Sequence, residues 1–163
     1  MPIIYLVILN IFILLSACSS ETPKTVPPLP ENVKWLNQAT NFQFSPANKF
    51  TLLEFFTDHC DACIELSTNL QPIQKYFSNQ ISFIGIYTPS QTLTSQEKQN
   101  LLKTLHVNYP VINDSDAKLF NLYQLDGWPT LILTNAEHKI IMHVTSAQST
   151  PFLFQAIHKE LLR

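Results

Sequence analysis

Cys60 and Cys63 stand three residues apart in the stretch Leu52-Leu53-Glu54-Phe55-Phe56-Thr57-Asp58-His59-Cys60-Asp61-Ala62-Cys63. The order reads as an apolar strand, a short polar turn, and two thiols at the start of a helix. A thiol at a helix N-terminus faces unpaired backbone N–H groups and the positive end of the helix dipole, which stabilise its thiolate. A second thiol at i+3 lies on the same helical face, close enough for a disulfide with the first. The pair is therefore a candidate dithiol/disulfide switch. Asp58 and Asp61 flank the first thiol, and nearby negative charge disfavours a thiolate. Asp61 also suits the helix N-terminus, and a protonated His59 would oppose the acids. The expectation is a moderately acidic Cys60 and a relatively reducing pair.

The chain holds three cysteines, and the third, Cys18, has a different setting. Ile3 to Leu15 is apolar apart from Asn10, too short for a comfortable membrane span and suited to a signal-peptide core. It ends in Leu15-Ser16-Ala17-Cys18, followed by Ser19-Ser20. This resembles the lipobox of bacterial lipoproteins, in which the cysteine is acylated and becomes the mature N-terminus. The n-region, Met1-Pro2, lacks the usual basic residue. The resemblance implies residues 1–17 as signal peptide and Cys18 as the lipidation site. It also implies a domain tethered to the cell envelope and facing the periplasm, with Ser19 favouring the outer membrane over the inner. With Cys18 set aside, Cys60 and Cys63 are left to each other. In an oxidising compartment a disulfide closing so short a loop gains little as a staple, which favours use over support.

At 163 residues, the chain has room for one ordinary domain and a tail. Hydrophobic residues make up 45% and charged residues 13%, which implies a packed core rather than disorder. A net charge of −2 offers no electrostatic case for nucleic acid. There are two glycines, so most turns must rely on Asn, Asp, Ser and Pro. Residues 18–32 carry four prolines and read as an extended spacer without core contacts, leaving 33–163 as the domain.

The elements that must position the thiols follow in alternation. Phe42-Gln43-Phe44 reads as a short edge strand. Phe50 to Phe56 is apolar enough to be a central strand buried on both faces. A helix is predicted from Asp61 to Phe77, kinked by Pro72, and a second central strand from Ile81 to Tyr87. Thr94-Ser95-Gln96-Glu97 is a capping box opening a helix through Leu101, Leu102 and Leu105. Val111-Ile112 is a short extended piece, and Asp114 can cap a short helix carrying Leu119, Phe120 and Tyr123. Thr130–Leu133 and Ile140–Val144 read as strands joined by a polar turn. Thr150, as N-cap before Pro151, opens a last helix. Such alternation argues a three-layer α/β domain.

This order and three motifs resemble the thioredoxin fold, and within it the exported thioredoxin-like lipoproteins of the thiol–disulfide oxidoreductase group. The motifs are Leu52–Phe56 leading into Cys60-Asp61-Ala62-Cys63, the helix-bearing insertion around Thr94 to His106, and Gly127-Trp128-Pro129-Thr130. The Trp-Pro-Thr element, with Tyr109 to Asp114 upstream, is also similar to the thioredoxin-like domains found ahead of NHL repeats. The resemblance implies an α/β/α thioredoxin fold with a central mixed sheet and a helical insertion. It implies Cys60 as the exposed nucleophile and Cys63 as the buried resolving thiol. It implies a cis Pro129 facing the pair, with Trp128 beside it forming an apolar wall and pairing with a bound peptide. Glu54, six residues before Cys60, matches a buried acid of the family. Independently, a carboxylate in the middle of Leu-Leu-Glu-Phe-Phe is costly unless hydrogen-bonded or protonated. Burial would raise its pKa, which suits moving the proton of Cys63 through water. No cofactor is implied. The partners implied are protein thiols or disulfides, apocytochrome c or misoxidised envelope proteins among them, and a membrane thiol-electron carrier as reductant. The Asp-Ala dipeptide departs from the family's proline-containing pair, and the family's helix-kinking proline would fall at Thr68 rather than Pro72.

Three rivals have less support. A structural zinc site needs four ligands, and His106, His138, His143 and His158 lack paired spacing. A thioredoxin-like copper-binding lipoprotein would carry a longer cysteine spacing and a distant histidine. A merely structural disulfide is the third.

Overall fold

The computed structural model describes residues 25–37 and 50–162. The apolar stretch Ile3–Leu15, Cys18 and Phe42–Phe44 lie outside them. Phe50–Phe56 forms strand β1, and its alternation sorts side chains between two cores: Leu52 and Phe56 on one face, Leu53 and Phe55 on the other. Asp61–Phe77 is helix α1, Ile81–Tyr87 strand β2, Ser95–Thr104 helix α2 and Val111–Asn113 strand β3. Lys118–Leu122 is helix α3, Thr130–Asn135 strand β4, Ile140–Val144 strand β5 and Thr150–Leu161 helix α4. The sheet order is β3-β2-β1-β4-β5. β1, β2 and β3 run parallel, whereas β4 is antiparallel to both β1 and β5. β1 is therefore the central strand, as its unbroken apolar run requires.

Leu66, Leu70, Ile73 and Phe77 recur at helical spacing along α1 and close one core with Leu153 and Ile157 of α4 and Leu52, Phe83, Leu131 and Leu133 of the sheet. Each such side chain contributes about 1.5–3 kcal/mol when fully buried. α1 stays one helix across Pro72, which sits on its exposed side. Leu119 and Tyr123 cover the other face together with Val26 and Leu29. Here the spacer expectation fails. Val26 is buried, its N–H donates to His138 O, Thr25 bridges Lys139, and Pro27 O accepts from Tyr123 Oη. Trp35 then bridges Ile112, so residues 25–37 form a strap from one edge of the sheet to the other. The tract holds Val26, Leu29, Val33 and Trp35 among its prolines, and their burial outweighs the spacer tendency.

Two caps lie away from their expected positions. Thr94 and Glu97 form the reciprocal capping box of α2, but the N-cap of α4 is Ser149, because the Thr150 hydroxyl is turned to Asn69 O of α1. Asp114 caps α3 from outside it, accepting from Leu119 N and Phe120 N. Left-handed backbone at His59, His106, Ala117, Gln124 and His138 shows that His, Ala and Gln serve turns of this glycine-poor chain.

Candidate functional site

β1 ends at Phe56, and the polar turn after it delivers Cys60 as the N-cap of α1. Cys60 and Cys63 form a disulfide, with 5.2 Å between their Cα atoms. Cys63 N–H donates to Cys60 Sγ at 3.1 Å, so the first sulfur sits at the unpaired amides of the helix start. Cys63 is fully buried in a cluster with Phe56, Tyr87, Leu102, Leu105 and Val111, while Cys60 is partly exposed. One sulfur can be approached by another molecule and the other only from within.

Glu54 points to the α1 face between Leu52 and Phe56 and is wholly buried. It is on the central strand, not an edge. Its Oε1 accepts from Ser67 Oγ at 2.7 Å and its Oε2 from the Tyr109 hydroxyl. Burial pushes the Glu54 carboxyl up to about 7, against the two hydroxyl bonds, which lower it. Burial, followed by the carboxylate's charge, raises the Tyr109 hydroxyl well above its ordinary value. Ser67 lies four residues after Cys63, on the same face of α1, so the acid sits one helical turn from the buried sulfur. Gly85 pairs with Glu54 across the parallel strands. A Cβ at Gly85 would stand 2.9 Å from the Phe56 ring, 3.0 Å from Val111 and 3.4 Å from the Tyr109 ring. The absent side chain is what lets the Phe56 ring and Val111 pack this close, with Tyr109 at ordinary contact distance.

Asp58 is a second buried carboxylate. It accepts from Tyr87 Oη at 3.0 Å, Ser90 N at 2.7 Å and Ser90 Oγ at 2.5 Å. Burial alone would raise it, but the bonds from Ser90, its own backbone and Tyr87 together outweigh burial and hold it below the usual carboxylate range. His59 Nε2 lies 3.8 Å from Asp58 and 2.7 Å from Gln91 Nε2. The turn before Cys60 is thus fastened twice to the loop after β2. Asp61, by contrast, is exposed at the first turn of α1.

The Trp128–Pro129 bond is cis. Thr130 pairs with Phe55, and because β4 runs antiparallel to β1, this loop reaches the sheet end from which Cys60 emerges. Pro129 is buried, whereas Trp128 is 38% exposed and stacks on Phe120 with ring centroids 4.4 Å apart. Trp128 is therefore a surface aromatic held by α3 rather than a core residue. Among the described residues, no group of three or more His, Cys, Asp or Glu side chains could hold a metal ion.

The structure brings Cys60, Cys63 and Glu54 together, and places Trp128 and Pro129 at the same end of the sheet. Ser67, Tyr109, Tyr87 and Ser90 escaped the sequence reading. Ser67, polar on an otherwise apolar helix face, carried a readable signal, but Tyr109 and Ser90 reach their acids across 55 and 32 residues of chain.

The fold is that of thioredoxin, with the Cys60–Cys63 disulfide at the start of α1. No protein-family model matches the chain. It is similar to NHL repeat-containing protein 2 of Homo sapiens, 28% identical over 120 residues, covering 69% of this chain and 16% of that protein. Thiol-disulfide oxidoreductase ResA of Bacillus subtilis is 24% identical over 102 residues, covering 62% of this chain and 55% of that protein. The chain thus spans about a sixth of the first relative and about half of the second. The structure of the pneumococcal exposed lipoprotein thioredoxin from Streptococcus pneumoniae aligns at a TM-score of 0.58 and 20% identity, over 69% of this chain and 86% of that one.

Proposed function

We propose that this protein exchanges disulfides with proteins of the cell envelope while tethered to a membrane through lipidated Cys18. The observation that carries the reading is the asymmetric pair: Cys60 partly exposed at the helix start, Cys63 sealed beneath it, and Glu54 one turn away. In the reductive direction, the Cys60 thiolate attacks a substrate disulfide. One substrate sulfur leaves as a thiolate and takes a proton, and a mixed disulfide joins Cys60 to the other. Cys63 then loses its proton to Glu54, poised near neutrality, and attacks Cys60 Sγ. The second substrate sulfur departs, two electrons have passed to the substrate, and the pair is left as the disulfide seen here. A dithiol partner resets it, for which a membrane thiol-electron carrier is suited. Trp128 and Pro129 line the approach of the substrate chain. Apocytochrome c and misoxidised envelope proteins are the substrates in view. The similarities to a named oxidoreductase and a named lipoprotein thioredoxin support this reading, as does the leader ending at Cys18.

The test is Cys63→Ser in cells. It should trap substrates on Cys60 as mixed disulfides that are released by reductant and absent in the Cys60→Ser/Cys63→Ser double variant. Nothing trapped, with Cys60 still alkylated readily, would overturn the protein-substrate reading.

A further inference from the structure

The two acids beside the nucleophile have separate fates, and one of them is built into the fold. Asp61 is exposed. Asp58 is buried and held on both oxygens by three donor groups from β2 and the loop after it. Ionised carboxylates are seldom buried without such donors. A side chain serving only to fasten two loops needs no charge, since an amide or hydroxyl also bonds to Ser90 and Tyr87. Two residues of chain span at most about 7 Å, so the Asp58 and Cys60 backbones are close. We infer that Asp58 is a positioning residue whose buried charge, kept in place by Ser90 and Tyr87, holds the Cys60 thiolate in check and makes the pair more reducing. The inference rests on Cys60 being the attacking thiol.

Among the other groups facing Asp58, His59 offsets its charge only when protonated. His59, at 3.8 Å, is exposed and shares its Nε2 with Gln91. Tyr87 and Ser90 are neutral donors. The Asp114 carboxylate accepts from Thr88 Oγ1, Leu119 N and Phe120 N. A unit charge roughly 7–10 Å away, at an effective dielectric of about 20–40, changes a thiol's ionisation on the order of tenfold.

The experiment measures the Cys60 pKa in the reduced protein by thiolate absorbance and alkylation rate, with the dithiol–disulfide equilibrium against glutathione read in parallel. Asp58→Asn keeps the shape and removes the charge. Its Cys60 should ionise about tenfold more readily, alkylate about threefold faster at a pH below the pKa, because lower basicity costs nucleophilicity, and form a more oxidising pair. Ser90→Ala keeps the charge but strips one donor from it, so Cys60 should ionise less readily, by up to about twofold. Opposite shifts in the two variants support the inference. Shifts of the same sign, or an unchanged pKa in Asp58→Asn, reduce Asp58 to a structural fastener and overturn it. Should Asp58→Asn fail to fold, Ser90→Ala decides alone, with a raised pKa supporting the inference and an unchanged or lowered one overturning it. If the wild-type pair exchanges with no dithiol at all, the functional reading has failed instead.

Discussion

Glu54 and Asp58 are four residues apart, both buried, both bonded to a tyrosine and a serine, yet their acidities move in opposite directions. The difference lies in place and donors. Glu54 sits mid-strand among Leu52, Phe56 and the α1 core, and two side-chain hydroxyls are all that face it in return for its lost hydration. Asp58 lies where β1 has given way to a turn, so the backbone N–H groups of Ser90 and of Asp58 itself join the two hydroxyls. Asp58 thus has four lowering bonds against two for Glu54, and Glu54 is the more deeply buried. The difference suffices because each bond to a charged group contributes about 1.5–3 kcal/mol, comparable to the burial penalty it opposes. The strand interior yields a group that can carry a proton near pH 7, and the turn yields a fixed charge.

The largest expected effect is on Glu54. Its folded pKa is raised to about 7 from 4.5, so its stabilising protonated form is fully present below pH 4.5. That contribution is lost as pH climbs through 7. The loss is about 3 kcal/mol for this group alone. Urea unfolding at pH 4 and pH 8 should therefore show Glu54→Gln gaining about that much on the wild type at the higher pH. Parallel stability curves would mean that Glu54 is not an enclosed acid, and the contrast with Asp58 would collapse.

Gly85→Ala comes next. It forces a methyl group against Phe56 and Val111, and overpacking of this kind costs about 1–3 kcal/mol. It should also move the Glu54 titration, because the Phe56 ring beside the acid must shift. Thermal unfolding and a carboxyl-detected NMR titration read the two effects; a stable variant with Glu54 unmoved would show that the packing beside the acid does not depend on the glycine. Smallest is Tyr109→Phe, which removes one of two donors that lower the Glu54 pKa. The acid should titrate higher still, with about 1 kcal/mol of stability lost. A fall in that pKa would reverse the roles given to burial and bonding.

What could be read along the chain was whatever neighbouring residues decide among themselves. The apolar run of β1, the two thiols at the start of α1, the reciprocal Thr94–Glu97 cap and the strand-turn-strand of β4 and β5 all rest on periodicities and caps that span a few residues. Glu54 was legible as an anomaly, a charge inside an apolar strand, without its partners. Asp58 and Asp61 looked alike, two acids beside a thiol.

The tertiary structure separated them. It brought Ser90 and Tyr87 to Asp58 and left Asp61 in water, a distinction that depends on how β2 lies beside β1. It also turned Thr150 toward Asn69, moving the start of α4 by one residue, and drew residues 25–37 across the sheet against the tendency of their prolines to stand free. By itself the sequence determined where two thiols could meet and that an acid lay buried near them. Which carboxylate keeps its charge was settled by long-range contacts, because burial and hydrogen bonding act through space and the donors come from strands and loops distant in the chain.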